Sequence, residues 1–202
     1  MDQDQFKTIK EPSSIETKIK GSKFIAHSFV IESEKQANEV ISATRKKYFN
    51  ATHNCFAYHV GFGGDEISRF SDDGEPAGTA GKPILTAITS QELTNVCVIV
   101  TRYFGGIKLG TGGLTRAYGG CAKEALLKSG EKVQVAAEKF ILEYPYELSS
   151  VVAKTFSQFD VQIDSSEYSE IIKQKVLVRK SQIAHFVLYL TDISSGQIKI
   201  KT

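Results

Sequence analysis

This 202-residue chain is short of several features that would place it in a functional class. No apolar run approaches the roughly 18 residues of a membrane span, so no transmembrane segment is predicted. The N-terminus, Met1-Asp-Gln-Asp-Gln, is polar and acidic and does not read as a signal peptide. Charge of one sign is also scarce. Twenty-five Lys and Arg against 23 Asp and Glu leave a formal +2, too little by itself to mark a nucleic-acid binder. The three cysteines, Cys55, Cys97 and Cys121, are an odd number and far apart. With no C-x-x-C they exclude a disulfide framework and a zinc knuckle, and buried thiols in a reducing cytoplasm are expected. Long repeats and low-complexity linkers are absent.

Catalytic signatures are missing as well. There is no H-E-x-x-H and no G-x-S-x-G. Gly105 and Gly110 have the Walker A spacing, but Thr111 stands where the motif needs lysine, and G-x-G-x-x-G fails at Thr115. His53 and His59 share one side of an expected strand, where six residues at about 3.3 Å set them about 20 Å apart, too far to chelate one ion. His53 beside Cys55 lacks an evident third residue to orient a Cys–His pair. No catalytic residue, metal ligand or cofactor is assigned.

What is present is glycine, and it is concentrated. Fourteen of the 16 glycines lie in residues 61–130, and seven fall between Gly105 and Gly120. That stretch follows an apolar run, Val96–Val100, expected as a central strand. Arg102, Tyr103 and Phe104 come next. A turn with Gly105, Gly106, Lys108 and Gly110 then leads to a helix near Thr111, Gly112 and Gly113, with Arg116 in its first turns. Arg102, Lys108, Arg116 and Lys123 meet no acid between Glu92 and Glu124. A helix N-terminus presents unpaired N–H groups and partial positive charge, so the pattern suits an anion or phosphate. A tight strand-to-helix turn, with glycines for close packing alone, fits equally. Tyr103 beside two cations suits base stacking and closure of the core equally, whereas Phe104 reads as a cap over the core.

A second stretch, Asp65 to Glu75, holds five acids and one arginine. Ser71, Asp72, Asp73, Glu75 and Thr79 form the second candidate loop. Oxygen clusters suit Mg²⁺ or Ca²⁺, but the EF-hand alternation is absent. Capping of the following helix, or pairing with the basic glycine run, is the stronger reading.

Further elements follow from pattern. A strand is expected over Phe24–Ile31. A capping box at Ser33 and Gln36 opens a helix that buries Ala37, Val40, Ile41 and Thr44. Asn54–Phe62 reads as a half-buried strand. Pro83 sits in the first turn of a short helix. The glycine-rich helix places Leu114, Tyr118, Cys121 and Ala125 on one stripe, with Gly119 and Gly120 inside it, where close packing is expected. Gly130 is its expected C-terminal cap. A boundary near 135–138 divides domains at 1–135 and 137–202. The second domain reads β-α-β-β-α-β, the ferredoxin-like order.

Three blocks carry a resemblance: Ala51-Thr-His-Asn-Cys-Phe-Ala-Tyr58, Ser71-Asp-Asp-Gly-Glu-Pro-Ala-Gly-Thr79, and Arg102-Tyr-Phe-Gly-Gly-Ile-Lys-Leu-Gly110 after Gly81-Lys-Pro-Ile-Leu. Together they resemble the IMPACT/YigZ family, in its bacterial two-domain type. The resemblance implies an α/β N-terminal domain like the second domain of a small-subunit ribosomal protein and the fourth domain of elongation factor G. It implies a cytoplasmic, non-catalytic, translation-associated protein whose partner is RNA, the ribosome or a ribosome-associated protein. The alternatives are an enzyme or sensor that binds a small phosphorylated ligand at the glycine loop, and a protein-interaction module built on the ferredoxin-like sheet. Eukaryotic members restrain amino-acid-starvation signalling and carry an extra N-terminal domain. This chain is expected to start too close to the family core to contain it, so that role does not carry over.

Overall fold

The computed structural model describes residues 3–202. Met1 and Asp2, part of the polar N-terminus discussed above, lie outside the described residues. The chain divides into two compact units, one of residues 6–134 and one of residues 135–202 joined by the segment up to Gln5. The expectation of 1–135 thus differs at its start. Asp4 is buried, its backbone carbonyl accepts from Ala136 N–H at 2.7 Å, and its carboxylate accepts from the Ser181 backbone N–H at 2.8 Å and from the Ser181 hydroxyl. These are long-range contacts that periodicity cannot reveal.

The first unit is built on a five-stranded antiparallel sheet. Its strands are β2 (Ser13–Ile19), β3 (Ser22–Val30), β4 (His53–Val60), β5 (Ile67–Ser71) and β6 (Val96–Tyr103). They lie in the order β2-β3-β6-β4-β5. β6 is central and buried along nearly its whole length, as expected of a run apolar on both faces. Helices cover both sides. α2 (Gly81–Thr89) and α3 (Gly110–Ser129) close one core over Cys55, Ala57, Val98 and Val100. α1 (Glu34–Lys47) closes the other over Tyr58, Val60, Cys97 and Ile99. β4 is therefore buried from both sides, and its expected half-burial is corrected. Alternation in sequence showed two faces but could not show that a helix sits on each. β1 (Gln5–Ile9) and β7 (Glu131–Val135) pair as a separate two-stranded sheet.

Local signals set several ends. Ser33 caps α1, its hydroxyl accepting from Gln36 N–H at 3.3 Å, while the Gln36 side chain accepts from Glu32 N–H at 2.6 Å. The expected stripe of α3 is buried at Leu114, Tyr118, Cys121 and Ala125. Gly119 meets Pro83 of α2, where an added Cβ would sit 3.5 Å from the proline Cβ, whereas Gly120 has nothing within 4 Å. A methyl on Gly119 would make only ordinary van der Waals contact and one on Gly120 would meet open space, so close packing demands neither glycine and that expectation is corrected. β2 and β5 escaped the sequence reading because both are edge strands with exposed, mostly polar side chains.

The second unit contains β8 (Ala137–Tyr144), α4 (Ser149–Gln158), β9 (Gln162–Tyr168), β10 (Ile172–Arg179), α5 (Ile183–Ile193) and β11 (Lys199–Lys201). The sheet order is β11-β8-β10-β9, with all pairings antiparallel. This is the ferredoxin-like arrangement that the element order predicts. Phe140, Leu142, Val152, Ile172, Val176, Phe186 and Leu190 form its core.

Candidate functional site

The three sequence blocks meet in the first unit. β4 brings His53 and Cys55, the turn after β5 brings Asp72, Asp73 and Glu75, and the end of β6 brings Arg102. The register pairs His53 with Arg102 across β4 and β6. Asp73 and Gly74 both have positive φ, +44° and +89°, which turns the chain sharply and aims Glu75 inward.

Arg102 is buried. Its Nη1 donates to Glu75 Oε1 at 2.6 Å and its Nη2 to Ser22 Oγ at 3.3 Å. The Tyr118 hydroxyl of α3 donates to the same Glu75 oxygen at 2.8 Å, and His53 Nε2 lies 3.9 Å from it. The Arg102 guanidinium lies 5.5 Å from the ring centres of both Phe24 and Phe104. Its Nε is buried with no hydrogen-bond partner among the described residues. This cluster ties β3, β6, α3 and the acidic turn together. The expectation that Arg102 forms part of an exposed anion surface is corrected: its charge is neutralised internally by Glu75.

The acidic loop is likewise architectural in its contacts. Asp72 accepts from the N–H groups of Gly78, Ala80 and Gly81 at 2.8, 2.9 and 2.8 Å, closing the start of α2. Burial works to raise its carboxyl, and these three donors outweigh that, holding it below the usual carboxylate range. Asp73 accepts from Asn54 N–H and from Arg45, each at 2.7 Å. Ser71 Oγ accepts from Asp73 N–H, and the Thr79 hydroxyl donates to the Pro76 carbonyl at 2.7 Å. The turn also separates the Cys–His pair. His53 Nδ1 contacts the Asp73 carbonyl at 2.7 Å, and Cys55 Sγ donates to the Asp72 carbonyl at 3.0 Å. Burial, reinforced by the neighbouring carboxylates against the Tyr118 hydroxyl, pushes the Cys55 thiol up to about 12. It is protonated at neutral pH and is no nucleophile.

The glycine run splits into a packed beginning and an open end. Gly105 lies against Gly21 so closely that a Cβ there would sit 2.0 Å from the Gly21 carbonyl carbon. Its N–H donates to Ser22 Oγ at 3.2 Å. Beyond it, Gly106, Ile107, Lys108, Gly110, Thr111 and Gly112 are exposed and Gly113 is half-buried. α3 starts with no side-chain cap and no acid in its first turn. Arg116 folds back over that turn, one guanidinium nitrogen lying 3.6 Å from where a Cβ on Gly112 would be. Neither Lys108 nor Arg116 makes an ion pair among the described residues. Tyr103 is engaged by Asn50 at its hydroxyl, 2.9 Å, and by Lys23 over its ring. Phe104, expected over the core, is 47% exposed above Arg102. Of the predicted set, the structure thus gathers Lys108, Thr111, Gly112, Gly113 and Arg116 at one helix start and withdraws Arg102. Sequence reasoning assigned no site role to Tyr118 or Ser22; Tyr118 was foreseen only on the buried stripe.

The fold and these contacts define a two-unit α/β protein with an internally locked acid–arginine pair below an open, uncapped helix start. The family model described as Impact N-terminal domain matches residues 20–126. IMPACT family member YvyE of Bacillus subtilis is 36% identical over 96% of this chain and 89% of its own length. IMPACT family member YigZ of Escherichia coli is 32% identical, covering 94% and 93%. A solved crystal structure of a hypothetical protein superposes with a TM-score of 0.70 at 31% identity, covering 98% of this chain and 96% of that one. The chain belongs to the IMPACT family. No helix among the described residues is long and apolar enough to cross a membrane.

Proposed function

We propose that this chain is a non-catalytic, translation-associated protein that binds RNA or a ribosomal surface through the loop at 104–113 and the start of α3. The observation that carries the reading is the uncapped N-terminus of a 20-residue helix with Lys108 and Arg116 unpaired beside it. Unsatisfied N–H groups and the helix dipole favour phosphate there, and the two cations add a fork and a point charge. Exposed Phe104 and Ile107 offer apolar contact next to the cations. Membership of the IMPACT family supports the translation context, and with it a cytoplasmic site of action.

The test is the Lys108→Ala variant, assayed for binding to several RNAs over a range of salt. Uniform weakening, with a salt slope shallower by about one unit or less, supports the reading. Selective loss of one phosphorylated small ligand, with RNA affinity untouched, would instead assign the same loop to that ligand. A lower melting temperature with no change in either binding would make the loop purely architectural.

A further inference from the structure

Residues 137–202 carry eight basic and eight acidic side chains, so this stretch has no net charge. The sheet distributes them unevenly. On β8 and β10, Phe140, Leu142, Tyr144, Ile172, Val176 and Val178 point into the core. The alternate positions therefore face outward. The register arranges them in rows: Lys199, Glu143, Lys173 and Glu167 in one, then Lys201, Ile141, Lys175 and Ser165, then Lys139, Leu177 and Gln162, with Arg179 last. Six of the eight cations, Lys139, Lys173, Lys175, Arg179, Lys199 and Lys201, thus share this face.

The acids cancel only half of them. Glu143 takes Lys201 at 2.8 Å, Asp160 takes Arg179 at 2.9 Å, and Asp164 reaches Lys139 at 3.8 Å. Lys173, Lys175 and Lys199 make no ion pair among the described residues. The Glu143 carboxyl registers the surplus. The Lys201 hydrogen bond, then the charges of Lys201, Lys173 and Lys199, hold it below the usual carboxylate range.

We propose that this outward sheet face is a second docking surface, for the sugar–phosphate backbone of RNA. Its cations run along β10 from Lys173 to Arg179, about 20 Å, and cross three strands, about 10 Å. A linear polyanion can follow such a strip. A protein partner fits it less well, because stable protein interfaces centre on buried aromatic and aliphatic anchors. Here the outward rows hold only Ala137, Ile141 and Leu177 as apolar side chains, and no aromatic. Without an aromatic platform the face reads backbone rather than base, so binding is strongly salt-dependent and tolerant of sequence. The surface shares no residue with the loop at 104–113, and each has its own variants.

The experiment uses the full chain and a labelled single-stranded RNA of mixed sequence, with affinity measured by anisotropy over a salt series. The triple variant Lys173→Ala, Lys175→Ala, Lys199→Ala removes the three unpaired lysines and leaves the core intact. Its affinity at low salt is expected to fall at least tenfold, with an unchanged melting temperature. At about 0.7 counterions per lost contact, the salt slope becomes shallower by about two. Replacing the same three lysines with arginine retains binding. Unchanged affinity and slope in the alanine variant would overturn the proposal, even if Lys108→Ala showed that the loop binds RNA. A parent chain that bound no RNA at low salt, and instead held an acidic protein through these lysines, would overturn it too.

Discussion

The two units use charge in opposite ways. In the first, Arg102 and Glu75 are withdrawn from water and spent on each other, with Tyr118 and Ser22 completing the shell. In the second, Lys173, Lys175 and Lys199 stand unpaired on an open sheet face above an apolar core. A buried ion pair costs several kcal/mol of desolvation per ion, so it persists only where geometry and further hydrogen bonds compensate. The consequence is rigidity at the junction of β3, β6 and α3, which fixes the exposed loop that follows Arg102. Exposed lysines carry almost no structural energy and remain available to solvent or to a partner. Substitutions of Arg102 or Glu75 should therefore destabilise the first unit, whereas substitutions of the sheet-face lysines should leave the second folded and alter only what it binds.

The largest effect is expected from Glu75→Ala. It leaves the Arg102 guanidinium buried without its counter-charge, at a cost of about 3–5 kcal/mol. Chemical denaturation, monitored separately for each unit, should show the loss in residues 6–134 alone. A cost below about 1 kcal/mol would mean that the pair is not the lock described here.

Gly105→Ala comes next. The new methyl cannot occupy space within 2.0 Å of the Gly21 carbonyl carbon, so the β2–β3 turn or the loop must move. Overpacking of this kind costs about 1–3 kcal/mol. Gly120→Ala, with nothing within 4 Å, should instead stabilise α3 by up to about 1 kcal/mol. Similar melting temperatures for the two variants would contradict the close approach.

In the second unit, Asp4→Ala removes a buried carboxylate from the Ser181 N–H and hydroxyl, at a cost of about 1–3 kcal/mol. Residues 135–202 expressed without residues 3–5 should still give a dispersed amide spectrum, but melt earlier than the same unit with them. A collapsed spectrum would show that the ferredoxin-like unit does not fold by itself.

Asp72→Asn should cost about 1–2 kcal/mol at neutral pH through the weakened start of α2. The sign of its pH dependence follows from the lowered carboxyl. The folded value lies below the unfolded one, about 3.9, so the stabilisation is complete above that value and disappears as pH falls through the folded value. The gap in melting temperature between parent and variant should therefore narrow in acid. A gap that widens below pH 4 would reverse the assignment.

The smallest effect concerns thiol chemistry. Cys55, Cys97 and Cys121 are buried, and burial raises all three thiols, Cys55 to about 12 and Cys121 to about 11. A disulfide reagent at pH 8 should react with none in the native chain and with three after denaturation. Fast native labelling of one thiol would expose an opening of the first unit.

Much of the architecture was legible in the sequence because it depends on local periodicity. The stripe of α3, the Ser33 cap, the buried run of β6 and the β-α-β-β-α-β order of the second unit each follow from side-chain spacing along a single segment. The family was legible as well, in three short blocks. The site was only half legible. Lys108, Thr111, Gly112 and Arg116 meet at the helix start because they are neighbours in sequence, whereas the fate of Arg102 depended on Glu75, 27 residues away, and on Tyr118 from another helix.

The sequence alone therefore determined the helices, the buried strands of the first unit, the element order of the second and the presence of a basic, glycine-rich loop, since propensity and pattern act over a few residues. Tertiary structure decided which charges are neutralised and which are left open. It turned the acid-rich stretch inward to cap α2 and hold Arg102, which composition could not distinguish from a metal loop. It also drew six of the eight cations of residues 137–202, a stretch with no net charge, onto one sheet face, because strand pairing places residues 30 to 60 positions apart on a common surface.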